Sequence, residues 1–323
     1  GVAKGLKSRN EDVTVITKDI NFRVKCDALQ IKAEDYYKDR VVEDQDEIFL
    51  GHSNMTVDDP YIIDKFYKEG ELSIKDLDCE VFPNQYLVIK HEQQSILGVE
   101  SDGYIKNVSC NLSETVSLNA RNKEQKFALD LLTRDDIPLT TLTGIAGSGK
   151  TFLTLMAALS GLYDGKYEKI VLTRTLQPVG KDIGFLPGDV NDKLDPWIGS
   201  IVDNFQHYFK DLTYFELMRK KGQIEVSPLA FIRGRTFNNT FLIVDEAQNA
   251  TIHELKTIIT RVGENSKIVL LGDIGQIDTP YIDSLSNGLT IVIEKLKNEK
   301  LAGHVCLLKG ERSELATLAS KVF

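Results

Sequence analysis

The stretch GIAGSGKT, Gly144 to Thr151, constrains this chain more than any other. Its two outer glycines, followed at once by Lys and Thr, have the spacing of a loop that wraps phosphate. It comes directly after the apolar run LTTLT (139–143) and opens into FLTLMAALSGL, so the pattern predicts a strand, a tight loop and a helix. Gly147 and Gly149 let backbone amides turn inward around phosphate oxygens, with Ala146, Ser148 and Phe152 completing the expected binding segment from Gly144. The helix N-terminus adds the positive end of its dipole. Lys150 is expected to neutralise β- and γ-phosphates and Thr151 to ligate Mg²⁺, which makes ATP with Mg²⁺ the expected ligand pair.

Further apolar runs, at 169–173, 241–246, 267–273 and 304–308, alternate with longer helix-like segments. Continuous Val/Ile/Leu runs suit strands buried on both faces, so the fold class over 119–323 is α/β with a parallel sheet between helices. FLIVDEAQ delivers Asp245 and Glu246 at a strand's carboxyl end, where open α/β sheets bind ligands. Asp245 is the expected Mg²⁺ residue, directly or through water, and Glu246 the base that polarises water. In GDIGQID (272–278), Gln276 is placed to touch a γ-phosphate or the attacking water; a surface Gln in an Asp/Gly turn fits the same spacing. Gln125, nineteen residues before Gly144, carries an amide able to read an adenine edge, although a solvent-facing Gln on an amphipathic helix fits equally. Arg174, Arg261 and Arg312 lie near strand ends as candidate phosphate contacts or fingers; each taken singly also suits a surface ion pair.

Residues 46–118 differ. IFLGH (48–52), QYLVIKHE (85–92), SILGVES (95–101) and GYIKNVS (103–109) are short β-like runs parted by turn residues, the mark of a small β-rich domain interrupted near 58–70. Residues 1–45 open without methionine; VTVIT (13–17) predicts a strand and the following segment a helix with Ile20, Val24 and Leu29 on one face, the tail of a domain begun upstream. The charge of −9 is uneven: residues 1–120 hold 14 basic and 23 acidic side chains, and residues 121–323 hold 25 of each. Bulk charge therefore does not predict polyanion binding. No run reaches the ~18 apolar residues of a membrane span. Four cysteines at least 31 residues apart argue against zinc or disulfides, and for reduced thiols in a cytoplasm.

Together these stretches resemble the PhoH family, in particular its subgroup with an N-terminal PIN domain. RNKEQKFALDLL (121–132), GIAGSGKT, IVLTR (170–174), GFLPGD with DKLDPW (184–197), EVSPLAFIRGRTF (225–237), FLIVDEAQN, TRVG (260–263), GDIGQID and KGERSELA (309–316) carry the resemblance over nearly all of 119–323. It implies a single RecA-like ATPase core and an association with RNA unwinding and cleavage. Residues 13–29 resemble the closing strand and helix of a PIN ribonuclease domain, with Asp19 in the place of its last acidic residue. One such Asp cannot gather a nuclease metal site, so RNA cleavage is not expected of these residues.

One core supplies one face of an ATP site, so the other is expected from a second copy in a ring, of which a hexamer is one form, with Arg261 or Arg312 offered in trans. Single-stranded RNA is the expected partner of a helicase-like motor. Its candidate contacts are Arg219, Lys220 and Lys221, and Arg233 and Arg235 flanked by Phe231 and Phe237; a solvated helix end and a structural hairpin account for them equally well. Two rivals remain: a nucleotide-dependent switch without translocation, and a small-molecule phosphotransferase, which has no need of a water-activating Glu246.

Overall fold

The computed structural model describes residues 2–9, 11–17, 19–34, 41–42, 44–77, 79–116, 118–175, 205–206, 212–232, 234–277 and 283–310. Arg233, Trp197, Arg312 and the GFLPGD and DKLDPW segments lie outside them.

The chain begins with helix α1 (Val2–Lys7), strand β1 (Thr14–Ile16), helix α2 (Ile20–Ala28) and strand β2 (Lys32–Glu34), with β1 and β2 paired in parallel. Asp19 caps α2, its carboxylate accepting from Phe22 N at 3.0 Å. Of the expected apolar face, Val24 and Leu29 are exposed, while Cys26 and Ile31 are buried.

A five-stranded sheet follows, built from β3 (His52–Thr56), β4 (Glu71–Ser73), β5 (Tyr86–His91), β6 (Gln94–Ser101) and β7 (Tyr104–Asn107) in the order β3-β5-β6-β7-β4. β3 and β5 are parallel and the other pairs antiparallel. The interruption at 58–70 is helix α3 (Pro60–Glu69). Asp59 caps its start, Pro60 occupies its first turn and Gly70 ends it in the left-handed conformation. Ile63 and Phe66 pack from α3 onto Leu72, Leu87, Ile89 and Ile105. The expected strand over IFLGH is displaced: β3 starts only at His52, and Phe49 to Gly51 instead run along the far end of the chain. At Gly51 the backbone turns left-handed, and a Cβ there would collide with the His304 carbonyl oxygen.

The second sheet is six-stranded and wholly parallel. Its strands are β8 (Leu139–Gly144), β9 (Lys169–Arg174), β10 (Ile224–Val226), β11 (Thr240–Asp245), β12 (Lys267–Gly272) and β13 (Ala302–Leu307), in the order β10-β9-β11-β12-β8-β13. β10, three residues with no apolar run, is an edge strand that the sequence pattern does not predict. Helices α4 (Lys123–Thr133) and α5 (Lys150–Tyr163) cover one face, with Phe127, Leu131, Leu155 and Met156 packed on Leu142, Ile170, Ile243 and Val269. The other face carries α7 (Ile252–Ile259) and α8 (Gly288–Leu296), with Leu255, Ile258, Leu289 and Val292 on Val171, Leu242, Val244 and Leu270; α6 (Thr213–Lys220) leads into β10. Helices on both faces explain why these strands are apolar throughout rather than alternating. The fold is thus α/β, a RecA-like P-loop core beside a small β-rich sheet.

One face of each sheet meets in a common core cluster. Tyr86 stacks on Phe127 with ring centroids 4.7 Å apart, and its hydroxyl donates to Asp130 Oδ2 at 2.7 Å. Asn84 Nδ2 donates to the carbonyls of Lys300 and Ala302, at 2.9 Å each. Among the described residues no helix is long and apolar enough to cross a membrane.

Lys267, at the start of β12, is fully buried. Its Nζ donates to the carbonyls of Leu131 at 2.9 Å and of Arg134 and Ile137 at 2.8 Å each, closing the carboxyl end of α4. Burial pulls its pKa down to about 7, so the ammonium that these three acceptors demand is held at a desolvation cost. Lys267→Met strands all three carbonyls and is expected to destabilise the protein by about 3 kcal/mol, read as a shift in urea denaturation midpoint.

Candidate nucleotide site

The parallel sheet brings the carboxyl ends of β8, β9, β11 and β12 to one edge, and the expected site residues collect there. After β8 the chain turns through Gly144 to Gly149, three of whose glycines (144, 147 and 149) have positive φ. Gly144 is pressed against Leu307 at the end of β13, whose carbonyl oxygen a Cβ would strike. α5 then starts at Lys150, so the amides of its first turn face the loop. Ser148 is fully buried within it, and Thr151 and Phe152 are half-buried on the first turn.

Lys150 Nζ donates to the carbonyls of Gly144 at 2.6 Å and Ile145 at 3.1 Å, folding back over the loop. Burial lowers its pKa, while the carboxylates of Asp273, Asp245 and Glu246 oppose that shift. Its ammonium is thus satisfied by two loop carbonyls while feeling the charge of three carboxylates.

Gln125 is buried under this loop rather than turned to solvent. Its Nε2 donates to the Ser148 carbonyl at 3.1 Å and its Oε1 accepts from Arg121 N at 2.9 Å. Asn122 starts α4 by accepting from Gln125 N at 2.9 Å. The helix cap therefore sets the height of Gln125, and Gln125 holds the loop.

β11 presents Asp245 and Glu246. Burial raises the pKa of Asp245 and Glu246 raises it further, against Arg174 and Lys150. Its Oδ1 accepts from Glu246 N at 3.1 Å. Glu246 sits in the left-handed region, φ 53° and ψ 37°, a placement that costs a non-glycine about 1 kcal/mol or more. That twist sends its carboxylate sideways: Oε1 accepts from Arg174 Nη2 at 2.8 Å and Oε2 from Gln248 Nε2 at 2.7 Å.

Gln248 is the residue that the sequence pattern misses. It is fully buried in a 3-10 turn, Ala247–Asn249, and beyond Glu246 its Nε2 donates to the Gln276 carbonyl at 2.9 Å. Its Oε1 accepts from Asp273 N at 3.2 Å. One amide thus joins the end of β11 to the loop after β12. Only the last letter of FLIVDEAQ hinted at it, and a Gln at a strand end carries no distinctive spacing. The Gln276 side chain lies exposed at the rim of the same loop.

The donor set fits a nucleotide with Mg²⁺. Thr151 and Asp245 offer hard oxygens, and Mg²⁺ ordinarily takes one or two protein ligands beside phosphate and water. Accordingly, no group of three or more His, Cys, Asp or Glu able to hold a metal occurs among the described residues.

Arg261 is not brought to this edge. It follows α7 and precedes β12, with its carbonyl accepting from Phe237 N at 2.9 Å, so it lies at the amino ends of the strands. The six residues of β12 span about 17 Å between it and the loop end. Phe237 is buried and offers no stacking surface, and Arg235 lies over its ring while pairing with Glu225. Phe231, Lys220 and Lys221 are exposed, and Arg219 lies over the Phe215 ring at 5.8 Å.

A family model described as PhoH-like protein matches residues 117–322. Protein PhoH2 of Bacillus subtilis is 44% identical over 97% of this chain and 73% of its own length. Protein PhoH2 of Mycolicibacterium smegmatis is 32% identical over 99% of this chain and 72% of its own length. A PhoH-like protein of Bacillus subtilis is 36% identical over 57% of this chain and 58% of its own.

Because Gln125 spans Arg121 and Ser148, Gln125→Ala leaves a buried amide and a carbonyl without partners. Nucleotide affinity is expected to fall about tenfold, measured by titration with a fluorescent ATP analogue, alongside a loss of stability of about 1–2 kcal/mol.

Proposed function

The chain belongs to the PhoH family, a family of P-loop NTPases, and on that premise we propose that it hydrolyses ATP and couples this to single-stranded RNA as a self-associated assembly. The observation that carries the hydrolytic part is the convergence of Lys150, Asp245 and Glu246 on one sheet edge, where both carboxylates act on the Lys150 ammonium. ATP phosphates take the place of the loop carbonyls at Lys150, with the amides of the first turn of α5 around them. Thr151 and Asp245 hold Mg²⁺, which when bound offsets charge on the phosphate oxygens. Glu246 accepts the proton of the attacking water, and Gln276 meets the γ-phosphate from the neighbouring loop.

Self-association is supported by the placement of Arg261. At the amino ends of the strands it can approach a γ-phosphate only in another copy, and a head-to-tail ring offers that arrangement. RNA has the thinner support, the exposed Lys220, Lys221 and Phe231. A switch without translocation is favoured by Gln248, since whatever moves Glu246 also moves the loop at Asp273 and Gln276.

Glu246→Gln is expected to retain ATP binding and lower kcat about a thousandfold, read by phosphate release. Wild-type turnover is expected to rise with added single-stranded RNA and with protein concentration, alongside a mass above that of one chain by light scattering. ATPase activity indifferent to RNA, with assembly still tracking nucleotide, selects the switch; activity indifferent to concentration removes Arg261 as a finger in trans.

A further inference from the structure

We propose that Arg174 is a positioning residue that holds Glu246 away from the attacking water until a phosphate oxygen takes its guanidinium. This rests on the reading of Glu246 as the base. A base must direct an electron-rich oxygen toward water, yet each Glu246 oxygen already accepts a hydrogen bond, Oε1 from the Arg174 guanidinium, which draws charge from it, and Oε2 from Gln248.

The two halves of this clamp are unequal. Gln248 is fully buried and fixed at both ends of its amide, by Gln276 O and Asp273 N. Among the described residues the Arg174 side chain bonds Glu246 alone, while its backbone is the register partner of Asp245 on the adjoining strand β11. Its side chain is 35% exposed and the Glu246 side chain 34%, so the pair lies open to a competing anion. Lys150 is parked in the same way, on loop carbonyls. Glu246 and Lys150 are thus both engaged within the protein at one edge of the sheet, the first after β11 and the second after β8.

A phosphate is the ligand whose geometry suits the release. It accepts two parallel bonds from a guanidinium, whereas Glu246 accepts from Arg174 through Nη2 alone. Its departure to phosphate frees Oε1, while Gln248 keeps the carboxylate in place. Two sources share this chemistry: the backbone of a polynucleotide and the γ-phosphate of ATP.

The test compares steady-state ATP hydrolysis by the full chain, Arg174→Ala, Arg174→Gln and Glu246→Gln, each with and without poly(U). Arg174→Gln keeps bulk and polarity without charge, so the comparison survives if the alanine variant folds poorly. If a polynucleotide is the source, loss of one charge-assisted hydrogen bond on the base raises kcat without RNA about tenfold in both Arg174 variants; poly(U) then lifts wild-type kcat to the variants' level and leaves the variants unchanged, with KM for ATP constant. If ATP is the source, saturating ATP has already freed Glu246 in the wild type, so poly(U) alters none of them and the variants keep the wild-type kcat with a raised KM. A kcat below wild type in both Arg174 variants, or kcat and KM both equal to wild type, with Glu246→Gln inactive, overturns the proposal. Wild-type turnover by Glu246→Gln would instead overturn the reading of the base on which it stands.

Discussion

Strand β13 is the member on which the rest of the structure leans. On one side its Leu307 carbonyl packs against Gly144, where the phosphate loop begins; on the other, its His304 carbonyl packs against Gly51. Both contacts exclude a Cβ, so main chain meets main chain. Cys306 N donates to Leu50 O at 2.9 Å, and His52 Nε2 donates to Cys306 O at 3.0 Å. The edge of the parallel sheet is thereby closed by the segment leading into β3, which removes an open strand edge. The same pairing fixes the small β-rich sheet to the strand that borders the loop.

The site has a comparable economy. β9 and β11 lie side by side with Arg174 opposite Asp245, and a single left-handed residue, Glu246, swings its carboxylate from the strand axis toward Arg174. A strained residue persists only where its surroundings over-determine it. Here the fixing groups are the amide of Gln248, the guanidinium of Arg174 and the carboxylate of Asp245. Because Gln248 also reaches Gln276 and Asp273, two strand ends that share no ladder bond at this level are joined through one side chain.

What could be read along the chain follows from burial. The five six-residue strands of the parallel sheet were legible because both faces are covered, leaving uninterrupted apolar runs. β10 was not, since a three-residue edge strand needs no such run. IFLGH has the composition of a strand but divides its hydrogen bonds, Leu50 O accepting from Cys306 N of β13 and Gly51 O from Tyr86 N of β5, a choice set by the partners and not by propensity. Phe237 and Arg235 read as a basic and aromatic surface in one dimension; in three, the ring is core and the charge is neutralised by Glu225. Gln125 could be read as solvent-facing or as a ligand contact, and only packing placed its amide beneath Ser148.

The sequence by itself determined the loop, its flanking strand and helix, the acidic strand end and the α/β class. Each depends on neighbours in the chain: glycines where φ must be positive, a Lys at a helix start, apolar runs at strand length. The tertiary structure alone decided which side chains meet. Arg174 and Glu246 are 72 residues apart and form a 2.8 Å ion pair; Lys267 closes a helix more than 130 residues earlier; Arg261 stands at the opposite end of the strands from the loop. No local pattern encodes such meetings, because strand order in a parallel sheet is settled by the packing of whole faces and not by adjacency along the chain.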